Sequence, residues 1–460
     1  MTASRTASTQ RSNQMYRALW RWHFYVGLLV IPFLLMLCVT GLLMLGSKPV
    51  GAWLDRELTT VVPEGDALPA SALMATVRAQ HPHANVTLYI PAGDATESAR
   101  FSLTQGAHAG HAGHGAPSTT VYVNPYNGDI LGSRDPTDTF YEQVKNVHGT
   151  LLIGKTGDLL IEGAAGLAIL MVLSGLYLSW SRQSRDRNSN GVSGKRKRWR
   201  RWHKLSGWIV AIPLLFFLFS GLAWTSIWGG KLVQPWGSLP GTQFDAPQAD
   251  TSHEIMNQHG AHQVPWALEQ TPMPRADSAS QELGIDYVTR IAEQQEFKRY
   301  RVHLPQGQGD VWTLSATTMA GDVQNPLAER VLHLDPADGM PLADIRYSDY
   351  PAMGMAMAAS IPLHQGDLGL WNLLLNMAII ALILFLMTSA VILWWKRRAP
   401  QKQRLQPPPA DPVASKIVMG LMLVIALCFP VSAAVLALVV VIDGLLALCK
   451  RARQKTASGT

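Results

Sequence analysis

The 460-residue chain is short of charge and of cysteine. Only 15% of its residues are Asp, Glu, Lys or Arg, against about a quarter in ordinary soluble domains. With 48% hydrophobic residues, it is not a disordered chain, which needs low hydrophobicity and high charge. Nor does it read as a single water-soluble globule. Its three cysteines, Cys38, Cys428 and Cys449, all fall in apolar stretches, so no disulfide framework supports the rest. A phosphate-binding glycine loop, a nucleotide-fold fingerprint and a nucleophile with a recognisable base are all missing.

What is present is a set of long uncharged runs, 24–46, 163–181, 205–230 and 368–395. Each is long enough for a helix to cross about 30 Å of hydrocarbon. A fifth apolar stretch, 417–449, is interrupted only by Asp443 and has Pro430 near its middle. It reads as a hairpin of two short spans, with one long tilted helix as the alternative. The first run exceeds the core of a secretory signal and reads as an uncleaved anchor.

Charge orients these spans. The N-terminal segment, 182–204, 396–416 and the tail from Lys450 hold 24 of the 39 Lys and Arg residues. Their only acids are Asp186 and Asp411. The positive-inside rule puts all four segments in the cytoplasm, and six spans satisfy every assignment. The expected order follows. A cytoplasmic N-terminus (1–21) leads to the first span (22–46), an outer module (47–147), and a second span with an outer-end segment (148–181). A basic loop (182–204) leads to the third span (205–230), a second outer module (231–363), and a fourth span with its own outer-end segment (364–395). A linker (396–416), the hairpin (417–449) and a cytoplasmic tail (450–460) complete the chain. The remaining 15 basic and 30 acidic residues make the far side acidic. The net +7 therefore marks orientation in a lipid bilayer, and nucleic acid is not an expected partner.

The outer regions carry strand and turn signals. Val86, Thr87, Leu88, Tyr89 and Ile90 form one β-branched or alternating run, and residues 119–123 form another. Turn chemistry follows at 124–129, and the plan recurs where Val331, Leu332, His333 and Leu334 lead into the turn at 335–339. Helices are expected over 71–80 and 281–295. Both regions thus read as small α+β modules.

The spans repeat. Arg21, Trp22 and His23 precede Gly27, Pro32 and Gly41, while Arg201, Trp202 and His203 precede Gly207, Pro213 and Gly221. His148 lies 32 residues before Trp180, and His364 lies 31 before Trp395. Two copies of span, module and span therefore keep the same direction, as in a parallel repeat. His23 and His203 fall at cytoplasmic ends, and His148 and His364 at outer ends. Paired imidazoles at matching depth on facing helices are what six-coordinate haem iron requires. The plainer reading is four interfacial anchors beside tryptophans.

These motifs resemble the PepSY-associated transmembrane proteins, over roughly residues 15–400. That group includes iron-regulated inner-membrane proteins and the di-haem siderophore reductases of Gram-negative bacteria. The resemblance implies a bacterial inner-membrane protein whose four core spans bind two b haems, with two PepSY-like periplasmic modules. It also implies reduction of ferric siderophore in the periplasm. The full expectation is an α-helical bundle of about six transmembrane helices, a duplicated haem-binding core plus a C-terminal hairpin, with two α+β modules outside. Cytoplasmic loops of 24 residues at most are too short for a flavin or nicotinamide domain. Electrons would arrive from a separate cytoplasmic protein or from quinol. The C-terminal hairpin and a His-rich loop are additions to the family pattern.

Other segments have metal-binding character. His108, His111 and His114 recur every third residue in a Gly/Ala loop, a pattern that takes Zn²⁺, Cu²⁺ or Ni²⁺ adaptably. His253, His259 and His262 form a second cluster. Met353, Met355 and Met357 sit just before His364, and thioethers favour Cu(I). A copper reductase or copper-handling protein using the same haems is therefore an alternative, with periplasmic iron or copper as substrate. A non-enzymatic PepSY binding or regulatory protein is another. Glu162 and Asp443 are candidate sites because charge in a span is costly, although snorkelling to the interface is the plainer reading.

Overall fold

The computed structural model describes residues 2–105, 118–181, 194–260, 263–277, 283–398, 412–439, 441–442 and 445. The chain packs as two units. One takes in residues up to Leu42, Asn146–Leu232 and those from Met377 onward; the other takes in Leu43–Lys145 and Val233–Asn376.

Long helices dominate the first unit. These are α1 (Thr2–Leu54), α5 (Gly154–Ser181), α6 (Gly194–Leu222) and α10 (Leu370–Arg398). Within them, Gln14–Ser47, Gly154–Trp180, Gly194–Leu222 and Leu370–Lys396 are long and apolar enough to cross a membrane. Many of their large side chains face outward; Ile212 is 80% exposed. In water this arrangement would be costly. Against lipid tails it is not, because the surroundings are as apolar as the side chain.

The C-terminal stretch breaks where expected. α11 (Pro412–Ala426) ends in a turn, and a second helix runs from Pro430 to Val439. Pro430 has no backbone N–H, so it suits the first turn of a new helix rather than the interior of an old one. Over the described residues neither reaches the length of a full span. They lie on α5, where Ser432 Oγ donates to the Gly163 carbonyl at 2.9 Å. Asp443 lies outside the described residues.

The second unit is built on one eight-stranded antiparallel sheet of order β10-β9-β8-β7-β1-β2-β3-β4. Its first half comprises β1 (Ala84–Ile90), β2 (Ala99–Gln105), β3 (Ser118–Val123) and β4 (Ile130–Arg134). The other half comprises β7 (Arg301–His303), β8 (Trp312–Ala316), β9 (Arg330–Leu334) and β10 (Pro341–Arg346). The two outer modules thus share a sheet, joined where β1 pairs with β7 through Leu88–His303 and Tyr89–Val302. Each copy thereby covers an edge the other would leave open. A short ribbon of β5 (Gln248–Ser252) and β6 (Pro272–Pro274) lies apart from this sheet.

The expected turns close β3–β4 and β9–β10. In each, the first side chain accepts from the backbone two residues on, Asn124 from Tyr126 N–H and Asp335 from Ala337 N–H. Gly128 and Gly339 then adopt φ of 79° and 77°, the left-handed region that glycine enters without strain. Short α2 (Arg56–Thr59) and α7 (Gln234–Gly237) join these elements.

Two amphipathic helices cover one face of the sheet. α3 (Ala70–Gln80) buries Ala70, Leu73 and Val77, and α8 (Ile285–Gln294) buries Ile285, Val288 and Ala292. That i, i+3, i+7 spacing forms a single stripe. Both stripes enter one core with Phe101, Val121, Trp312, Leu314 and Leu332. Asp286 ties the helices together by accepting from Ser71 N–H at 2.8 Å and from its hydroxyl. The expected helix over 281–295 is shorter, starting at Ile285 behind Gly284.

Candidate functional site

The four long helices of the first unit enclose a cavity of about 1350 Å³, against roughly 300–1,000 Å³ for ordinary ligand pockets. His23 from α1 and His203 from α6 both line it. Gly27, Gly175 and Gly207 line the wall, and Arg17, Arg196, Arg198, Arg200, Arg201 and Lys204 stand among its residues. The site therefore offers two imidazoles, an apolar barrel and a group of cations that suits an anionic periphery. Gly175 is needed for close approach, since a Cβ there would lie 3.0 Å from Cε1 of His23.

Each ring is held by a hydroxyl at Nδ1. His23 Nδ1 lies 3.0 Å from Ser174 Oγ on α5, and His203 Nδ1 lies 2.8 Å from Ser389 Oγ on α10. The serines are repeat-equivalent, each six residues before a tryptophan, Trp180 or Trp395. Comparing the two copies serine by serine would have singled them out; attention to histidine alone passed them over.

The outer pair occupies matching positions in the chain. His148 is in the last turn of α4 (Phe140–Thr150), and His364 in the last turn of α9 (Ala352–Gln365). Each helix ends before its span begins. After α4 the chain reverses through Leu151 and Leu152 at φ of 53° and 61°; after α9 it reverses at Gly366 and Gly369. The expected broken outer-end segments are thus separate short helices. His148 Nδ1 lies 2.7 Å from Thr40 Oγ1 of α1. The carbonyl of His364 accepts from Asn376 Nδ2 at 3.0 Å.

Glu162 does not snorkel. It is 2% exposed and accepts from Ile227 N–H at 3.2 Å, while Asp158, one turn earlier, accepts from Ser226 N–H. Between α6 and the π-helical turn Trp228–Val233, backbone donors lose their helical partners. The two carboxylates satisfy them, as broken helices in a bilayer require.

Of the remaining metal-flavoured residues, only His253 and the three methionines have described side chains. His108, His111, His114 and His262 lie outside the described residues, and His259 has no described side chain. Met353, Met355 and Met357 lie on α9, where alternate residues point about 200° apart. Met353 is 43% exposed, Met355 packs against a core of Tyr350 and Ile345, and Met357 is buried. Met353 and Met357, one turn apart, share a face of the helix, and Met355 points away from it. Among the described residues, no three His, Cys, Asp or Glu side chains are arranged to hold a metal ion.

His253 has instead joined an unforeseen buried row. His303, Thr313 and His333 are register partners on β7, β8 and β9. The Thr271 carbonyl, 2.8 Å from His253 Nδ1, is acceptor-only, so His253 donates there and its Nε2 accepts. His333 Nε2 therefore donates across 3.1 Å, and its Nδ1 accepts from Thr313 at 2.8 Å. Burial pushes His253 down to about 4 and His303 to about 3, with His333 also well below its ordinary value. All three sit neutral inside the sheet unit. Nearby, burial pushes the Glu329 carboxyl up to about 7 despite hydrogen bonds from Thr318 and Tyr350.

Four apolar helices long enough to span a bilayer, joined to a duplicated α/β sheet unit, define a membrane protein of internally repeated architecture. The chain belongs to the PepSY-associated TM region family, whose model matches residues 20–397. The matched range begins just before His23 and ends after Trp395, leaving the C-terminal helix pair outside it. Comparison with curated protein sequences finds no match.

Proposed function

We propose that the protein carries electrons across the bacterial inner membrane through two b haems and reduces a ferric siderophore, or a similar ferric chelate, on the periplasmic side. The observation that carries this reading is the placement of His23 and His203, from corresponding points of the two repeat copies, in the wall of one large cavity. Their residue types and surroundings fit the group: two imidazoles, glycine clearance for a flat ring, and cations for its carboxylates. His148 and His364 hold the outer haem in this proposal, on the strength of the repeat.

When bound, haem supplies a one-electron Fe(III)/Fe(II) couple at each site. The chain's own residues do the rest. His23 and His203 would hold the group, the Arg17, Arg200 and Lys204 side chains would neutralise its negative charge, and apolar residues such as Leu214 and Met387 would exclude water. Burial and hydrogen bonding of this kind tune a cofactor's potential. Fe(III) binds hard oxygen donors tightly and Fe(II) less so, hence reduction loosens the chelate. Electrons enter from quinol or a cytoplasmic donor protein.

The test is a reduced-minus-oxidised spectrum with a haem count on the purified chain. Two b-type haems are expected, and His203→Ala should retain one. A chain without a reducible b-type band, made with ample haem, refutes the proposal. An unchanged count in His203→Ala refutes the pairing.

A further inference from the structure

Three histidines of the bundle make the same hydrogen bond, and in each case the hydroxyl partner also reaches a carbonyl of its own helix, which can only accept. Ser174 Oγ donates to the Met171 carbonyl at 3.0 Å, Ser389 Oγ to the Leu386 carbonyl at 2.6 Å, and Thr40 Oγ1 to the Met36 carbonyl at 2.8 Å. A hydroxyl has one proton and two lone pairs. With the proton spent on its own helix, Oγ has only acceptance left to offer. With the hydroxyl proton on that carbonyl, the facing Nδ1 is the donor, His23 to Ser174, His203 to Ser389 and His148 to Thr40. The Met171 and Leu386 carbonyls, which can only accept, also hydrogen-bond the His23 and His203 rings.

That donor order settles which ring nitrogen is bare. A neutral imidazole with its proton on Nδ1 presents a lone pair at Nε2, the form in which imidazole ligates a metal. Histidine ligands characteristically donate their other ring N–H to a carbonyl, carboxylate or water, which fixes orientation and raises basicity. Here a helix-bound hydroxyl does that work, and its back-bond ties the ring to a backbone rather than to a mobile side chain. Ser174 and Ser389 occupy equivalent places in the two copies, and Ser220 stands where Thr40 does, 17 residues after a histidine.

We propose that Ser174, Ser389 and Thr40 are positioning residues that lock His23, His203 and His148 in the Nδ1–H tautomer, so that each presents a bare Nε2 to haem iron. This rests on the haem reading above. It adds that a hydroxyl one helix away, together with the carbonyl beside it, tunes ligand strength at each iron. A ring donating from Nδ1 is the more electron-rich, and an electron-rich ligand favours Fe(III). Losing the acceptor should weaken ferric haem retention and move the potential upward.

The experiment uses the full chain in lipid nanodiscs, comparing wild type, Ser389→Ala, Ser389→Thr and Ser174→Ala. The readouts are haem transfer to excess apomyoglobin, the potential of the cytoplasmic haem, and the g-values of its ferric low-spin EPR signal. Ser389→Ala is expected to lose haem about 10–100-fold more readily, with a more positive potential and altered g-values. Ser389→Thr, which keeps the hydroxyl, should restore all three, and Ser174→Ala should reproduce the effect from the other ring. A hydroxyl that merely fills space would leave potential and g-values unmoved; that result in both alanine variants overturns this inference while leaving the haem reading intact. A wild-type chain that binds no haem overturns both.

Discussion

Acidification should loosen the sheet unit through its three buried histidines, by an amount that follows from their surroundings. His253, His303 and His333 are held neutral, with His253 at about 4, His303 at about 3 and His333 well below its ordinary value. Unfolded, each titrates near 6.5. A depressed folded value means the unfolded state binds more protons below 6.5, so stability is full above that pH and is lost as pH falls. Between pH 7.5 and 5 each histidine forfeits about 2 kcal/mol, on the order of 6 kcal/mol for the set. Glu329 works the other way. Its folded value, raised to about 7, means that the folded carboxyl takes up its proton first, which returns about 2 kcal/mol over the same range. The net loss is therefore about 4 kcal/mol, or roughly a thousandfold in the opening equilibrium. Hydrogen exchange of β7, β8 and β9 amides in the full chain, corrected for the intrinsic pH dependence of exchange, measures it. His303→Gln should reduce the loss to about 2 kcal/mol, and Glu329→Gln should enlarge it to about 6 kcal/mol. An opening free energy equal at the two pH values, and unmoved by either substitution, refutes the reasoning.

Two further outcomes test the packing. Asp322 accepts from Arg301 Nε at 3.0 Å with only 7% of its side chain exposed, so Asp322→Asn leaves a buried guanidinium without its counter-charge. A loss of about 3–5 kcal/mol is expected; thermal unfolding of the sheet unit showing under about 1 kcal/mol would contradict the burial argument. A Cβ at Gly166 would overlap Ser432 Oγ and sit 3.0 Å from Phe429 Cβ. Gly166→Val should push the C-terminal helix pair off α5 at a cost of about 1–3 kcal/mol and expose residues 412–439 to protease, with haem content unchanged. Unaltered proteolysis would show that this contact does not hold the pair.

Spans, strands and turns could be read locally because each rests on residues close together in the chain. The apolar runs locate the four long helices, but three of them begin two or more turns before the uncharged stretch, and α6 stops at Leu222, short of the run's end. The turns at 124–129 and 335–339 depend on one side chain two residues from its partner and one glycine. The repeat made the histidines visible, since Arg, Trp and His recur with the same glycine and proline spacing. Glu162 was misjudged for the opposite reason. Its partner, Ile227, is 65 residues away, and only the break after α6 creates the unpaired N–H that draws the carboxylate inward. On α9, Met353 and Met357 stand one turn apart on one face while Met355 points away, a split that follows from helical periodicity.

The sequence by itself determined that this is a membrane protein, where its apolar helices run and that they come in two copies, because hydrophobic run length and repeat spacing are properties of the chain. Only the tertiary structure decided that the two outer modules share one sheet, that His253 turns inward to His333, and that Ser174, Ser389 and Thr40 meet histidine rings 108 to 186 residues away. Each of those depends on which groups meet across the fold. Pairing of strand edges, burial of a neutral imidazole and the choice of its tautomer are set by the partner that arrives, and sequence distance carries no record of it.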